Sequence, residues 1–301
     1  MRKNTFYTSI ILSGLLFCAF TTTAQQTDDL ISLLGKEKPK KERVTNAFKS
    51  TRVVNGHSME FLAPGTMDFR ILHRFGQIDK GYGNLFGLDQ ASMRMGFDFG
   101  IFQNLMIGFG RSTYKKELDG FIKFAPIRQA TGSGSFPFTI AMVAGMTYNS
   151  SPFTDTTIKN YNTSRIAYYF QTIIGRKFSD VFTLQVTPTM VHNNLVLVSS
   201  MPNDVYSVGV GGRIKFSKRM AFTVDYFRRI TGLEKGVTYD PLSVGVDIET
   251  GGHVFQLHFS NSTGMNERAF ITETTNRWDK AEIRFGFNLS RVFQIKKKKK
   301  A

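Results

Sequence analysis

His258, Phe259, Ser260 and Asn261 follow one another, with Glu267 and Glu273 further along the chain. On an extended strand, residues two apart share a face, so His258 and Ser260 would set an imidazole beside a hydroxyl. That is the pairing of base and nucleophile that covalent catalysis uses, with Glu273 available as the acid. The blander reading is a polar interior histidine next to a strand-end serine. A motif this short carries weight only in its geometric context, so the blander reading is preferred and no catalytic residue is assigned.

The other chemistry-bearing types are more scattered. His57, His73, His192, His253 and His258 include no pair at the i, i+4 helical spacing of a zinc protease. The single cysteine, Cys18, offers them no help, so no metal site and no cofactor is expected. Gly81-Tyr82-Gly83 and Gly209-Val210-Gly211-Gly212 open no helix and therefore fail as phosphate loops. Charged residues are the richer set: Asp68, Arg70, Arg74, Arg94, Asp98, Asp119, Lys123, Arg213, Lys215, Asp225, Asp247, Glu249, Glu282 and Arg284. Most of them fall between apolar neighbours in a pattern of period two.

That pattern defines the elements. Phe222, Val224 and Tyr226 alternate with Thr223 and Asp225; Met93, Met95, Phe97 and Phe99 alternate with Arg94, Gly96 and Asp98. Val244, Val246 and Ile248, then Phe255, Leu257 and Phe259, then Ala281, Ile283, Phe285, Phe287 and Leu289 repeat it. Each segment has one greasy face and one polar or glycine face. The spacing predicts strands near 66–75, 92–100, 104–112, 117–126, 136–148, 164–177, 182–192, 206–216, 220–229, 243–249, 253–260 and 280–293. Ten or fourteen strands also fit such boundaries. Short turns alternate with longer loops, except that 113–116 is short where length is expected and 127–135 is long where a turn is expected.

The chain ends narrow the class. Arg2 and Lys3, the apolar run Ile10 to Phe20, and the small residues Thr22-Thr23-Ala24 have the layout of a cleaved export signal over residues 1–24. No later stretch approaches the ~20 apolar residues of a membrane helix, leaving a soluble protein or a closed β-barrel. A soluble sandwich alternates too. Here the polar faces carry glycine and charges of both signs, the strands approach the ~9–11 residues that cross a bilayer, and aromatics crowd segment ends. Those are Phe75, Phe99, Phe102, Tyr148, Phe178, Phe216, Trp278 and Phe293. The expected fold is therefore all-β, an up-and-down transmembrane antiparallel barrel of about twelve strands over residues 65–295. It would sit in the outer membrane of a Gram-negative bacterium.

Outside the barrel, residues 25–64 do not alternate. Asp28 to Gly35 could form a short helix, and Lys36 to Arg43 is a charged linker. The segment reads as a periplasmic tail or a partial plug in the barrel mouth. Five lysines at 296–300 make a basic, solvated tail over 296–301. The net charge is +16, or +14 once Arg2 and Lys3 leave with the signal. For an exported chain that excess points away from nucleic acid and towards lipid headgroups or an anionic solute.

Three stretches carry a resemblance: Asn46 to Arg52, Met67 to Gly76, and Gly251 to Phe259. They resemble an outer-membrane β-barrel family of the Bacteroidota, a domain-of-unknown-function family (DUF5777-like), over nearly the whole chain from about Asp28. The resemblance implies the barrel and the outer membrane, and no activity. Separately, His258-Phe259-Ser260-Asn261 looks like the His-x-Ser-Asn stretch of outer-membrane lipid A deacylases over a handful of residues. In those enzymes the pair works on the lipid-facing side, which Phe255, Leu257 and Phe259 occupy here.

Charges facing lipid at mid-depth cost ~2–4 kcal/mol each for Arg or Lys, so the charged set is expected to line the lumen. The leading expectation is a small, partly occluded pore for a polar or anionic solute. A structural or docking barrel for a periplasmic or surface partner is the second reading, and a lipid hydrolase the last.

Overall fold

A computed structural model describes residues 40–153, 157, 159–196, 201–231 and 236–296. The expected signal at 1–24, the helix at Asp28 to Gly35, and the lysine tail beyond Lys296 lie outside the described residues. The first half of the chain's sheet comprises β1 (Thr66–Gln77), β2 (Ala91–Phe102), β3 (Leu105–Ser112), β4 (Glu117–Ile127), β5 (Thr139–Asn149) and β6 (Ile166–Lys177). The second comprises β7 (Phe182–Asn193), β8 (Asp204–Lys215), β9 (Met220–Arg229), β10 (Leu242–Thr250), β11 (His253–Ser260) and β12 (Arg284–Gln294). All twelve are antiparallel to their neighbours, and β12 pairs with β1 to close the barrel.

Alternation decides which face each residue takes. Along β1 every second residue from Thr66 to Gly76 is buried, while Met67, Phe69, Ile71, His73 and Phe75 face outwards. The outer wall carries Phe109, Ile122, Phe124, Met142, Phe170, Phe222, Leu257 and Phe259 as exposed apolar side chains. A band of that extent in water would be an aggregation surface; against acyl chains it is the matched one. Phe102, Phe178, Phe216 and Phe293 stand exposed at one rim. Trp278 does not simply join a girdle: its indole N–H donates to the Leu242 carbonyl at 2.9 Å and pins a loop to the wall. The β6–β7 ladder is interrupted: the strands pair at Gln171–Thr189 and again at Ile174–Val186, across the outward Pro188, which has no N–H to give.

The rim where Lys40 and Lys296 lie holds the short turns 103–104, 178–181, 216–219 and 251–252 (the turn rim). The long 128–138 link lies at the turn rim too; the other, the loop rim, holds the remaining longer links together with the short 113–116 connection. Both exceptions in link length now have structural partners. The long 128–138 link carries Ala130–Thr131, which pairs antiparallel with Glu42–Arg43. The Val44 amide adds a bond of 3.0 Å to the Gln129 carbonyl. The short 113–116 link is gripped by the 261–283 loop, whose helix α1 is Glu267–Thr272. Its Glu273 receives the Lys115 ammonium at 2.6 Å and the Tyr114 hydroxyl at 3.1 Å.

The middle of the interior is occupied by the chain itself. Residues 44–64 run up from the turn rim and turn back at Val53–Gly56, where Arg52 and His57 bridge antiparallel. Phe48, Val53 and Met59 from this segment join Phe270 and Ile271 of α1 and the inward Met106, Phe121, Tyr169, Ile173 and Phe227 in one apolar cluster. Two glycines make room. A Cβ on Gly100 would lie 2.1 Å from the Ala63 carbonyl oxygen, a backbone atom that cannot yield, and one on Gly145 would lie 2.2 Å from the Tyr169 ring.

Candidate functional site: the filled lumen and its two mouths

The backbone of residues 51–60 has no sheet partner of its own beyond the small hairpin, so its polar groups must be met by side chains. The barrel wall supplies them from all around the circumference. Asp225 on β9 accepts from the Asn55 and Gly56 amides at 2.8 and 2.9 Å. Gln256 on β11 donates to the Val53 carbonyl at 2.6 Å, and Asn288 on β12 to the Val54 carbonyl at 2.9 Å. Gln185 on β7 accepts from the Met59 amide at 2.9 Å and donates to the His57 carbonyl at 2.7 Å. Lys123 on β4 donates to the carbonyls of Ser58 and Glu60 at 2.6 and 2.7 Å.

Most of the charged residues expected to line the lumen do point inwards, and most are already partnered. Arg94 grips Asp119 through two bonds, one of 2.8 Å. Asp68 accepts from Arg70 at 2.5 Å and from Ser290 at 2.6 Å. Asp98 accepts from Thr51 at 3.2 Å. Arg74 donates to His258 at 2.9 Å and also to Asn55. Asp247 accepts from Gln256 at 2.9 Å. Glu249, half-buried near the turn rim, pairs with Lys49 at 2.8 Å. Arg284, half-buried at the loop rim, donates to the Phe75 carbonyl at 3.2 Å. Arg213 and Lys215 are treated below. Glu282 is a correction: β12 begins at Arg284, so Glu282 precedes the wall and accepts from the Arg277 amide at 2.8 Å. The left-handed backbone of Ala281 breaks the extended run there, which alternation alone could not reveal.

The His258, Ser260 and Glu273 set does not assemble as a triad. His258 and Ser260 share the inner face of β11, but the His258 Nε2 lone pair is taken by the Arg74 guanidinium. A general base needs that lone pair for the incoming proton. The Ser260 hydroxyl oxygen accepts from the Ser243 hydroxyl at 2.8 Å and the Ser262 amide at 3.1 Å. Glu273 is committed to Arg268 at 2.7 Å, Lys115 and Tyr114. Burial alone would raise the Glu273 carboxyl; its two ion pairs outweigh that and hold it below the usual range, while burial and Glu273 push the Tyr114 phenol up.

Of the five histidines, His73, His192 and His253 lie on the outer face of the wall. His73 stacks on Phe287 and His192 bonds Asp204 at 2.7 Å. Among the described residues no three His, Cys, Asp or Glu side chains cluster to hold a metal.

Sequence reasoning did not find the junction at the barrel's centre. Arg52 donates to Glu267 at 2.7 Å and to the Asn55 carbonyl at 2.6 Å, with His57 Nε2 at 3.4 Å from the same carboxylate. All three side chains are fully buried. This is where the segment from one mouth meets the loop from the other. Among the described residues, a recess opens at each mouth. At the loop rim one of about 430 Å³ is bounded by Phe153, Arg165, Leu195, Met201, Arg268 and Glu273. At the turn rim one of about 290 Å³ is bounded by Asn46, Lys49, Lys177, Asp180, Arg213 and Lys215.

A closed antiparallel barrel with a lipid-matched outer wall and a polar, charge-bearing inner wall is a membrane β-barrel. Residues 48–293 match the family described as Membrane bound beta barrel domain (DUF5777), and the chain belongs to that family. Among solved structures it is similar to one described as a NanC porin in a rhombohedral crystal form. The identity is 7%, covering 75% of this chain and 98% of that one, with a TM-score of 0.46. It is also similar to a Salmonella typhi OmpF in complex with daunomycin, at 6% identity, 76% and 97% coverage and a TM-score of 0.37. No curated protein matches the chain.

Proposed function

We propose that this protein is exported by a signal at residues 1–24 to the outer membrane, where it serves as a closed structural or docking barrel. The observation that carries this reading is the filled interior. Residues 44–64 and α1 form a common apolar cluster with the inner wall, and the wall's polar side chains are spent on the segment's backbone. An open pore needs those side chains hydrated and facing water. In a docking role, the surfaces offered are exposed stretches at the rims, 82–86 and 133–138 among them.

Gated passage of a small polar solute is the second reading. It is favoured by the inner wall of β1, β2 and β9–β12, whose Arg70, Arg74, Asp98, Asp225 and Asp247 would face water if residues 44–64 withdrew. Single-channel recording in planar bilayers separates the two. The docking reading predicts silence from the intact chain at all voltages, with conductance appearing only when residues 44–62 are deleted. Steady conductance from the intact chain would overturn it, and voltage-induced openings would favour the gated alternative.

A further inference from the structure

The recess at the turn rim collects positive charge in a way the rest of the interior does not. Elsewhere the inward bases meet acids or carbonyls. Arg213 does not. Its side chain is only 4% exposed, yet its buried Nε has no hydrogen-bond partner among the described residues. A buried guanidinium left so is costly, and each unmet exception calls for a ligand, ion or water.

Sheet register explains how other cations come to face it. Lys177 on β6 pairs with Thr183 on β7, which pairs with Arg213 on β8, so all three share one inward row. Strand spacing puts the Lys177 and Arg213 backbones ~10 Å apart, and Lys215, two residues along the same face, ~7 Å from Arg213. Lys49 closes the recess from the interior segment, beside Asn46. The acids nearby are engaged elsewhere. Asp180, the one carboxylate bounding the recess, pairs with Lys177 at 2.7 Å from an exposed position. Glu249 holds Lys49, and Asp247 accepts from Gln256 and Thr223. Lys49 and Lys177 each already pair with an acid, which leaves Arg213 and Lys215 as the cations of the recess with no hydrogen-bonded carboxylate among the described residues.

From this geometry we infer that the turn-rim recess is a binding site for a phosphate-class oxyanion, with Arg213 as its buried anchor and Lys215, Lys177 and Lys49 as its rim. A guanidinium fork matches two oxygens of a phosphate, and flanking ammonium groups answer the second negative charge that a carboxylate or halide lacks. The recess is lined almost wholly by polar groups, which suits a hydrated headgroup or phosphomonoester better than an acyl chain. A soluble phosphate and a phospholipid headgroup share this chemistry. The inference does not depend on whether the barrel docks a partner or conducts.

The test uses the full mature chain, in neutral detergent and in phosphatidylcholine nanodiscs. Binding of inorganic phosphate and glycerol phosphate is read by calorimetry and by phosphorus NMR line broadening. We expect saturable phosphate binding that acetate and chloride at equal ionic strength do not displace. Arg213→Gln should weaken it about tenfold or more, the loss of a charge-assisted bond pair, and Arg213→Lys by less. Resistance to heat on gels shows that each variant keeps its barrel. Nanodiscs containing phosphatidylglycerol supply the second arm: lost phosphate binding there assigns the site to a lipid headgroup, and retained binding assigns it to a soluble phosphate. Equal affinity in the wild type and Arg213→Gln, or no phosphate binding in either medium, overturns the site.

Discussion

At the scale of single residues, the interior depends on pairs that are expensive to break singly. Arg52 and Glu267 are both 1% exposed, and each keeps the other from being a lone charge in a packed core. Removing one partner of such a pair costs ~3–5 kcal/mol, because the other is left buried and uncompensated. Arg52→Met and Glu267→Gln should therefore each lower stability by about that much. The double variant should lose less than the sum. Urea unfolding in detergent, read by tryptophan fluorescence of Trp278, gives the cycle; additive losses would show that the pair is not coupled. Individual inward charges were legible in the sequence because a period of two marks the face. Their partners were not: Arg52 and Glu267 lie 215 positions apart, and no local pattern links them.

At the scale of elements, the strands were legible; a plug was one of two readings for residues 25–64, and how residues 44–64 and the 261–283 loop fill the lumen was not legible. Alternation of Met93 to Phe99 or Phe255 to Phe259 is set by lipid on one side and a polar interior on the other, so it is written into every strand. Residues 44–64 obey no period. Their backbone is satisfied by Asp225, Gln256 and Gln185 from distant strands, and their apolar groups need only fit the space left to them. The long 128–138 and short 113–116 links, irregular in sequence, make sense once each is seen to hold one of these filling segments.

The hold on 113–116 should be sensitive to acid. Glu273 has its carboxyl held below the usual range, facing Arg268, Lys115 and Tyr114. A depressed acid contributes stability that is present above its unfolded value and lost as pH falls through the folded one. Hydrogen exchange at 265–275 should therefore be slow from neutral pH down to the ordinary glutamate range and rise below it, while the strands stay protected. Glu273→Gln should exchange fast at every pH. Acid-insensitive protection would contradict the clamp.

At the scale of the whole molecule, two solvents shape one chain. Lipid covers the outer faces of Phe109, Phe170 and Phe222, and the chain itself covers the inner ones. A barrel of twelve strands is wide enough to hold a channel, so width alone could not decide what the lumen contains. The sequence therefore left a partly open pore as the leading expectation, where the structure has a core. Everything proposed about the closed middle and the separate mouths rests on residues 44–64 lying inside the wall.

Thiol accessibility tests that placement most directly, since Cys18 is the only native cysteine and falls within the expected signal. Cysteine replaces Ser58, which is wholly buried, or Ser217, in an exposed turn at the rim, each alone in the mature chain. The account predicts that a charged, membrane-impermeant maleimide labels Ser217→Cys within minutes and leaves Ser58→Cys unlabelled until the barrel is heat-unfolded. Equal labelling of both in the folded protein would contradict it.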